Sequence, residues 1–146
     1  MNDIEFWNII DRLDWEFTGD DEAVVAPVVE CLAKQSDEGI FEFEELLAQK
    51  LYALDTRAHA QTMSEDAEED NYFTVDAFLY ARCVVVANGQ AFFEEVLKDS
   101  SEFPGDMEFE ALLFVAQDAF EEKNDADWEY VSPTDYETYR NKKGWQ

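Results

Sequence analysis

Asp76-Ala77-Phe78-Leu79-Tyr80-Ala81-Arg82-Cys83-Val84-Val85-Val86-Ala87-Asn88-Gly89 decides the fold class. Cys83 to Ala87 is apolar on every side, and by composition alone it could be a buried strand. Asp76 to Arg82 leads into it without a break. Thr74 stands where an N-cap belongs, and Asn88-Gly89 supplies a C-terminal stop. The stretch therefore predicts a central helix, the fourth of the chain, buried all round.

Helical spacing recurs on both sides of it. Upstream, Ser36 with Asp37 and Glu38 starts a third helix, weakened in its first turn by Gly39. Ile40, Phe43, Leu46, Leu47, Leu51, Leu54 and Ala58 line one face of it, with Glu42, Glu44 and Glu45 mostly on the other. Before it, Gly19-Asp20-Asp21 reads as turn and cap for a helix carrying Val24, Val25, Val28, Val29 and Leu32. Pro27 either kinks that helix or marks its first turn. The first helix, capped by Asn2 or Asp3, carries Phe6, Ile9, Ile10, Leu13 and Phe17, flanked by Trp7 and Trp15. Downstream, Phe92, Phe93, Val96 and Leu97 mark a short fifth helix. Pro104-Gly105 ends the next loop. Met107 to Lys123 predicts a sixth, with Phe109, Leu112, Leu113, Ala116, Ala119 and Phe120 inward. Ser132-Pro133-Thr134-Asp135 resembles a last helix start, presenting Tyr136 and Tyr139 before the basic Arg140, Lys142 and Lys143. The expected fold is all-α, a compact single-domain bundle of about six or seven helices. Residues 1–146 form one helical domain, with 124–146 a C-terminal extension packing on it.

The 146-residue chain is long enough to bury a core without disulfides or metals. Its 15% aromatic content argues against disorder despite the charge. Asp and Glu number 36 against 10 Lys and Arg, a formal charge of −26. Such self-repulsion weakens a compact state unless the core outweighs it or a cationic partner relieves it. It also excludes direct nucleic-acid and membrane partners, which carry the same sign. Cys31 and Cys83 lie in apolar stretches outside any CxxC motif, as free thiols of a reducing compartment do. The acidic N-terminus lacks the pattern of a signal peptide, and no stretch approaches a membrane span. The expected location is cytoplasmic.

Chemistry-bearing patterns are few. His59, the single histidine, follows Asp55 by four residues on the expected third helix, so the two meet on one face. Such a pair can orient an imidazole for general-base work or form a structural bond. Arg82, embedded in apolar sequence, needs a carboxylate, and Asp55 and Asp76 are the candidates. Asp55, His59 and Arg82 thus form an expected internal polar cluster. No metal site, cofactor or catalytic residue is expected: one histidine and two distant cysteines exclude most zinc patterns, and no phosphate-cradling glycine loop occurs. What remains is acidity: Asp20-Asp21-Glu22, Glu65 to Asp70, Glu94-Glu95, Glu121-Glu122 and Asp125 to Glu129. Glu65, Asp66, Glu68, Glu69, Asp70, Glu121, Glu122, Asp125, Asp127 and Glu129 would steer a basic partner, and Trp128 and Tyr130 would anchor it. The bland alternatives are solvated faces for the charges and internal packing for the two rings.

Glu5-Phe6-Trp7, Leu51-Tyr52-Ala53-Leu54-Asp55 with Ala58-His59, Phe78 to Gly89 followed by Phe92-Phe93-Glu94, and Leu112 to Ala116 with Ala119-Phe120-Glu121-Glu122 together resemble the bacterial domain of unknown function 4240. The resemblance runs from the first helix through the sixth. Cys83-Val84-Val85 departs from it, since the family often has a tryptophan-leucine pair there. The resemblance implies a helical fold and, by analogy with accessory proteins of bacterial genomes, an immunity partner of a secreted toxin.

Charge and sparse chemistry point first to an acidic immunity-type or inhibitor protein, not an enzyme. It would block a basic partner such as a toxin nuclease domain, the partner being its cognate toxin. One alternative is a nucleic-acid mimic binding a DNA-binding protein, which requires a continuous acidic stripe. Another is a small-ligand or enzyme module around Asp55, His59 and Arg82.

Overall fold

The computed structural model describes residues 1–64 and 73–146. Among these lie seven α-helices and no strand: α1 (Asp3–Ile10), α2 (Asp21–Ala33), α3 (Asp37–Ala53), α4 (Arg57–Gln61), α5 (Val75–Ala87), α6 (Gln90–Lys98) and α7 (Val115–Asn124). The chain is all-α. Side chains start the helices where expected. Asn2, Asp20, Ser36 and Thr74 accept backbone N–H bonds from Glu5, Ala23, Gly39 and Ala77, which satisfies a donor that a helix start otherwise leaves unpaired. Pro27 sits inside α2, which continues to Ala33.

The central stretch is helical, with Phe78 and Leu79 inside and residues 81–87 buried all round, while Asp76 is exposed and Tyr80 half-buried. Gly89 stops it with a φ of 99°, a left-handed backbone that glycine adopts without a Cβ clash, and then begins α6. Around α5, α3 packs on one side, α6 on another, and α2 lies against α7. Phe6, Phe43, Leu47, Leu51 and Leu112 fill the space between them, with Phe6 and Phe43 in ring contact at 4.9 Å. Burial of this apolar surface is the main stabilising term.

Several expected boundaries move. The first helix stops at Ile10, and Phe17 falls in a separate 3₁₀ turn, Trp15–Phe17, where it is 51% exposed. The third helix ends at Ala53 instead of running past His59. Thr56 restarts the chain as α4, its hydroxyl accepting the His59 N–H at 3.1 Å, and Ala58 is exposed. The sixth begins as a 3₁₀ segment, Glu110–Phe114, and becomes α-helical only at Val115; the Phe109 N–H is taken by the Tyr80 carbonyl. No α-helix follows Ser132-Pro133. Residues 132–141 have no regular helix, because their polar groups bond to side chains of the helical body, and the chain ends in a 3₁₀ turn, Lys142–Trp145.

Candidate binding site

α3, α5, the Glu110–Phe114 segment, the start of α7 and the C-terminal segment enclose an open cleft of about 600 Å³. Its walls carry five carboxylates, from Glu44, Asp76, Glu110, Asp135 and Glu137, and no lysine, arginine or histidine. Tyr80, Phe114, Trp128, Tyr130 and Tyr136 supply aromatic surface.

Glu44 is the most constrained of these groups. Burial pushes its carboxyl up to about 7, and the neighbouring Glu45 adds to the rise. Among the described residues no hydrogen bond compensates it. Burial, with Glu45 and then Glu44, raises Tyr130; burial and then Glu44 raise Tyr136. Tyr80 is raised by desolvation first, then by Glu110 and Asp76. The cleft therefore holds neutral phenols beside carboxylates. Its chemistry favours a cation: fixed negative charge plus aromatic surface, with no positive group to compete.

Trp128 and Tyr130 also pack internally. Phe41 stacks on Tyr130 at 4.6 Å and meets Trp128 edge-on at 5.7 Å, while Phe120 meets Trp128 at 5.5 Å. Glu121 accepts the Trp128 N–H at 3.0 Å. Glu122, Asp125, Asp127 and Glu129 are exposed and do not line the cleft. Glu65, Asp66, Glu68, Glu69 and Asp70 lie outside the described residues. Sequence reasoning put Glu44 on the outer face of its helix and passed over Asp76, Glu110, Asp135 and Glu137 as partner-facing groups. The adjacent acids Glu44 and Glu45 beside an apolar stripe were the available signal.

The expected Asp55, His59 and Arg82 cluster is three separate arrangements. Asp55 and His59 are not on one helix, because the chain breaks between Ala53 and Arg57. Fully buried Asp55 accepts bonds from the C-terminal segment: Tyr139 N–H at 3.1 Å, Asn141 N–H at 3.0 Å and the Trp145 indole at 2.8 Å. The His59 ring joins the Thr56 hydroxyl at 2.5 Å and the Val96 carbonyl at 2.8 Å. Burial lowers its pKa, against the Val96 bond, so it stays a neutral structural imidazole at pH 7. Arg82, also fully buried, forms no ion pair among the described residues. It donates to the carbonyls of Leu51 at 2.8 Å and Tyr136 at 2.9 Å and to the Thr138 hydroxyl at 3.1 Å, and lies 4.7 Å from the Phe78 ring centre. Burial lowers the Arg82 pKa from its ordinary value, Asp55 opposes this from a distance, and Asp76 belongs to the cleft instead. Several neutral acceptors thus replace the expected carboxylate contact.

Burial pushes the Cys83 thiol up to about 12, which removes it as a nucleophile at neutral pH. Among the described residues no group of three His, Cys, Asp or Glu side chains is placed to hold a metal ion, and no helix is long and apolar enough to cross a membrane.

The family model described as "Protein of unknown function (DUF4240)" matches residues 1–122. No curated protein and no solved structure matches the chain.

Proposed function

The chain belongs to the DUF4240 family, and we propose that it binds a basic partner protein and blocks it, as an immunity-type or inhibitor protein would. The cleft carries this reading. Its five carboxylates, with no basic side chain in the walls, form a receptor for a lysine or arginine side chain of the partner. Glu44, without a hydrogen-bond donor of its own, gains one when a cationic side chain enters. The overall charge of −26 steers the encounter, and occupation of the partner's basic surface is the blocking act.

A decalysine probe titrated into the protein by calorimetry tests the reading. Binding at low salt is expected to weaken by about tenfold or more on moving to physiological ionic strength. Glu110→Gln is expected to weaken it while leaving the fold intact, and a decaglutamate control is expected not to bind. Equal affinity of Glu110→Gln and the native protein would place the cation elsewhere, and absence of decalysine binding would overturn the reading.

A further inference from the structure

We propose that the helical body carries a recognition groove for a peptide segment, and that the chain's own residues 130–145 occupy it as an exchangeable ligand. The segment also supplies Tyr130, Asp135, Tyr136 and Glu137 to the cleft wall, but peptide exchange is read without any cation and can fail or succeed whatever decalysine does.

The first argument is what that segment lacks. Among the described residues no apolar side chain after Ala119 is buried, and Thr138 is the one buried residue beyond that point. With Trp128 just before it, the segment adds to the apolar core only through the partly buried Tyr136 and Trp145, the last in ring contact with Phe78.

The second is how it is bound. Fully buried Asp55 accepts the backbone N–H groups of Tyr139 and Asn141, which a turn with Tyr139 at a φ of 78° and the Arg140 N–H on the Glu137 carbonyl aims at one carboxylate. Fully buried Arg82 reads the Tyr136 carbonyl and the Thr138 hydroxyl. Glu45 accepts the hydroxyls of Ser132 and Thr134. The Tyr52 carbonyl accepts the Asn141 side-chain amide at 3.0 Å. Arg82 Nε is buried without a partner, so the site has donor capacity that this segment leaves unused. Ion-bearing groups sealed in a body and satisfied by a polar segment are costly as mere packing, since apolar residues would fill the same space at lower cost.

The third is the boundary. Glu45, Tyr52, Asp55 and Arg82 all lie within the residues matched by the family model, which ends at 122, before the segment begins.

The ligand class follows from these contacts. It is a peptide that turns just after its third hydroxyl and ends in a 3₁₀ turn, with hydroxyls at two positions two residues apart, a third four residues on, and an indole seven residues beyond, as Ser132, Thr134, Thr138 and Trp145 provide. Just before the indole the peptide must be glycine, since a Cβ on Gly144 would stand 2.7 Å from the Asp55 backbone oxygen.

The test uses the full chain with a protease recognition sequence inserted at exposed Asp125, cleaved after folding so that every residue remains present. A fluorescent peptide of residues 128–146 is then added and its anisotropy followed, with circular dichroism in parallel. The labelled peptide is expected to exchange saturably into the nicked protein while helix content holds. The Gly144→Ala peptide is expected to bind about tenfold more weakly or worse, the equivalent of roughly 1.4 kcal/mol. Failure to exchange, loss of helix content as the native segment leaves, or equal binding of the Gly144→Ala peptide would each overturn the proposal.

Discussion

Residues 3–63 with 73–119, and residues 125–146, meet the demands of burial in different ways. The first region hides whole apolar faces: Phe6, Phe43, Phe78 and Leu112 are inside, and the second half of α5, residues 81–87, is buried on every side. The second hides almost nothing, and is held by hydrogen bonds to Glu45, Asp55 and Arg82 together with partly buried Trp128, Tyr136 and Trp145. Apolar contact is non-directional and collective, so the body behaves as one cooperative unit. Hydrogen bonds to buried charges are directional and few, so the segment can be loosened without dissolving the body.

The largest effect that sharpens this contrast belongs to the body. Phe43→Ala removes a fully buried ring and is expected to cost about 3–5 kcal/mol of global stability. Urea unfolding is the measurement, and a loss below about 1 kcal/mol would break the claim that this ring is a core element.

Next comes the segment's hold. Asp55→Asn replaces a carboxylate that accepts three N–H donors with a group that turns its own donors toward them. The expected cost is about 2–3 kcal/mol. Its signature is faster amide exchange confined to residues 132–146. Exchange that rises equally in α5 would erase the distinction between the two regions.

Glu44 sits where the regions meet, and its effect depends on pH. Its folded pKa of about 7 lies above its usual 4.5, so the folded protein holds this proton more tightly than the unfolded chain. Below pH 4.5 both states are protonated and there is no penalty. As pH rises from 4.5 through about 7 the unfolded chain ionises this group while the folded state still holds its proton, and stability falls. Glu44→Gln is therefore expected to leave stability unchanged near pH 4 and to raise it by on the order of 1 kcal/mol at pH 8. Thermal unfolding at the two pH values checks this, and an equal change at both would remove burial as the cause.

The smallest effect is expected at Asp127. Its exposed carboxylate lies outside the cleft, so Asp127→Asn is expected to change stability by less than about 0.5 kcal/mol in a melt. A larger loss would mean that the segment is anchored by its charges as well as by its hydroxyls and amides.

Much of the body was legible beforehand because helix signals are local. The caps at Asn2, Ser36 and Thr74, the stripe of Ile40, Phe43, Leu47 and Leu51, and the stop at Gly89 each depend on residues within a few positions. The break after Ala53 was not legible. Leu54 and Ala58 continued the apolar spacing, while the competing cap at Thr56 is satisfied by a single hydroxyl bond to the chain three residues on. The tail misread for the opposite reason. Ser132-Pro133 carries a sound local start signal, but distant Glu45 and Asp55 outbid the helix for its polar groups. Of the cleft lining, Trp128 and Tyr130 are residues the sequence singles out as partner anchors, and the structure also packs both on Phe41. Glu44 is not singled out, because helical periodicity places a residue on a face without revealing what later covers that face.

By itself the sequence determined an all-α chain, a central helix whose apolar run Cys83 to Ala87 is buried, an excess of negative charge and a sequence without common catalytic signatures. These follow from composition and from spacing within single helices. Only the tertiary structure decided which carboxylates share one cleft, and that Asp55 and Arg82 bind the chain's own end instead of each other. Those contacts join residues 54 to 90 positions apart. Across such separations no local period carries information, and the pairing is set by how the helices pack and by the buried charges' need for partners.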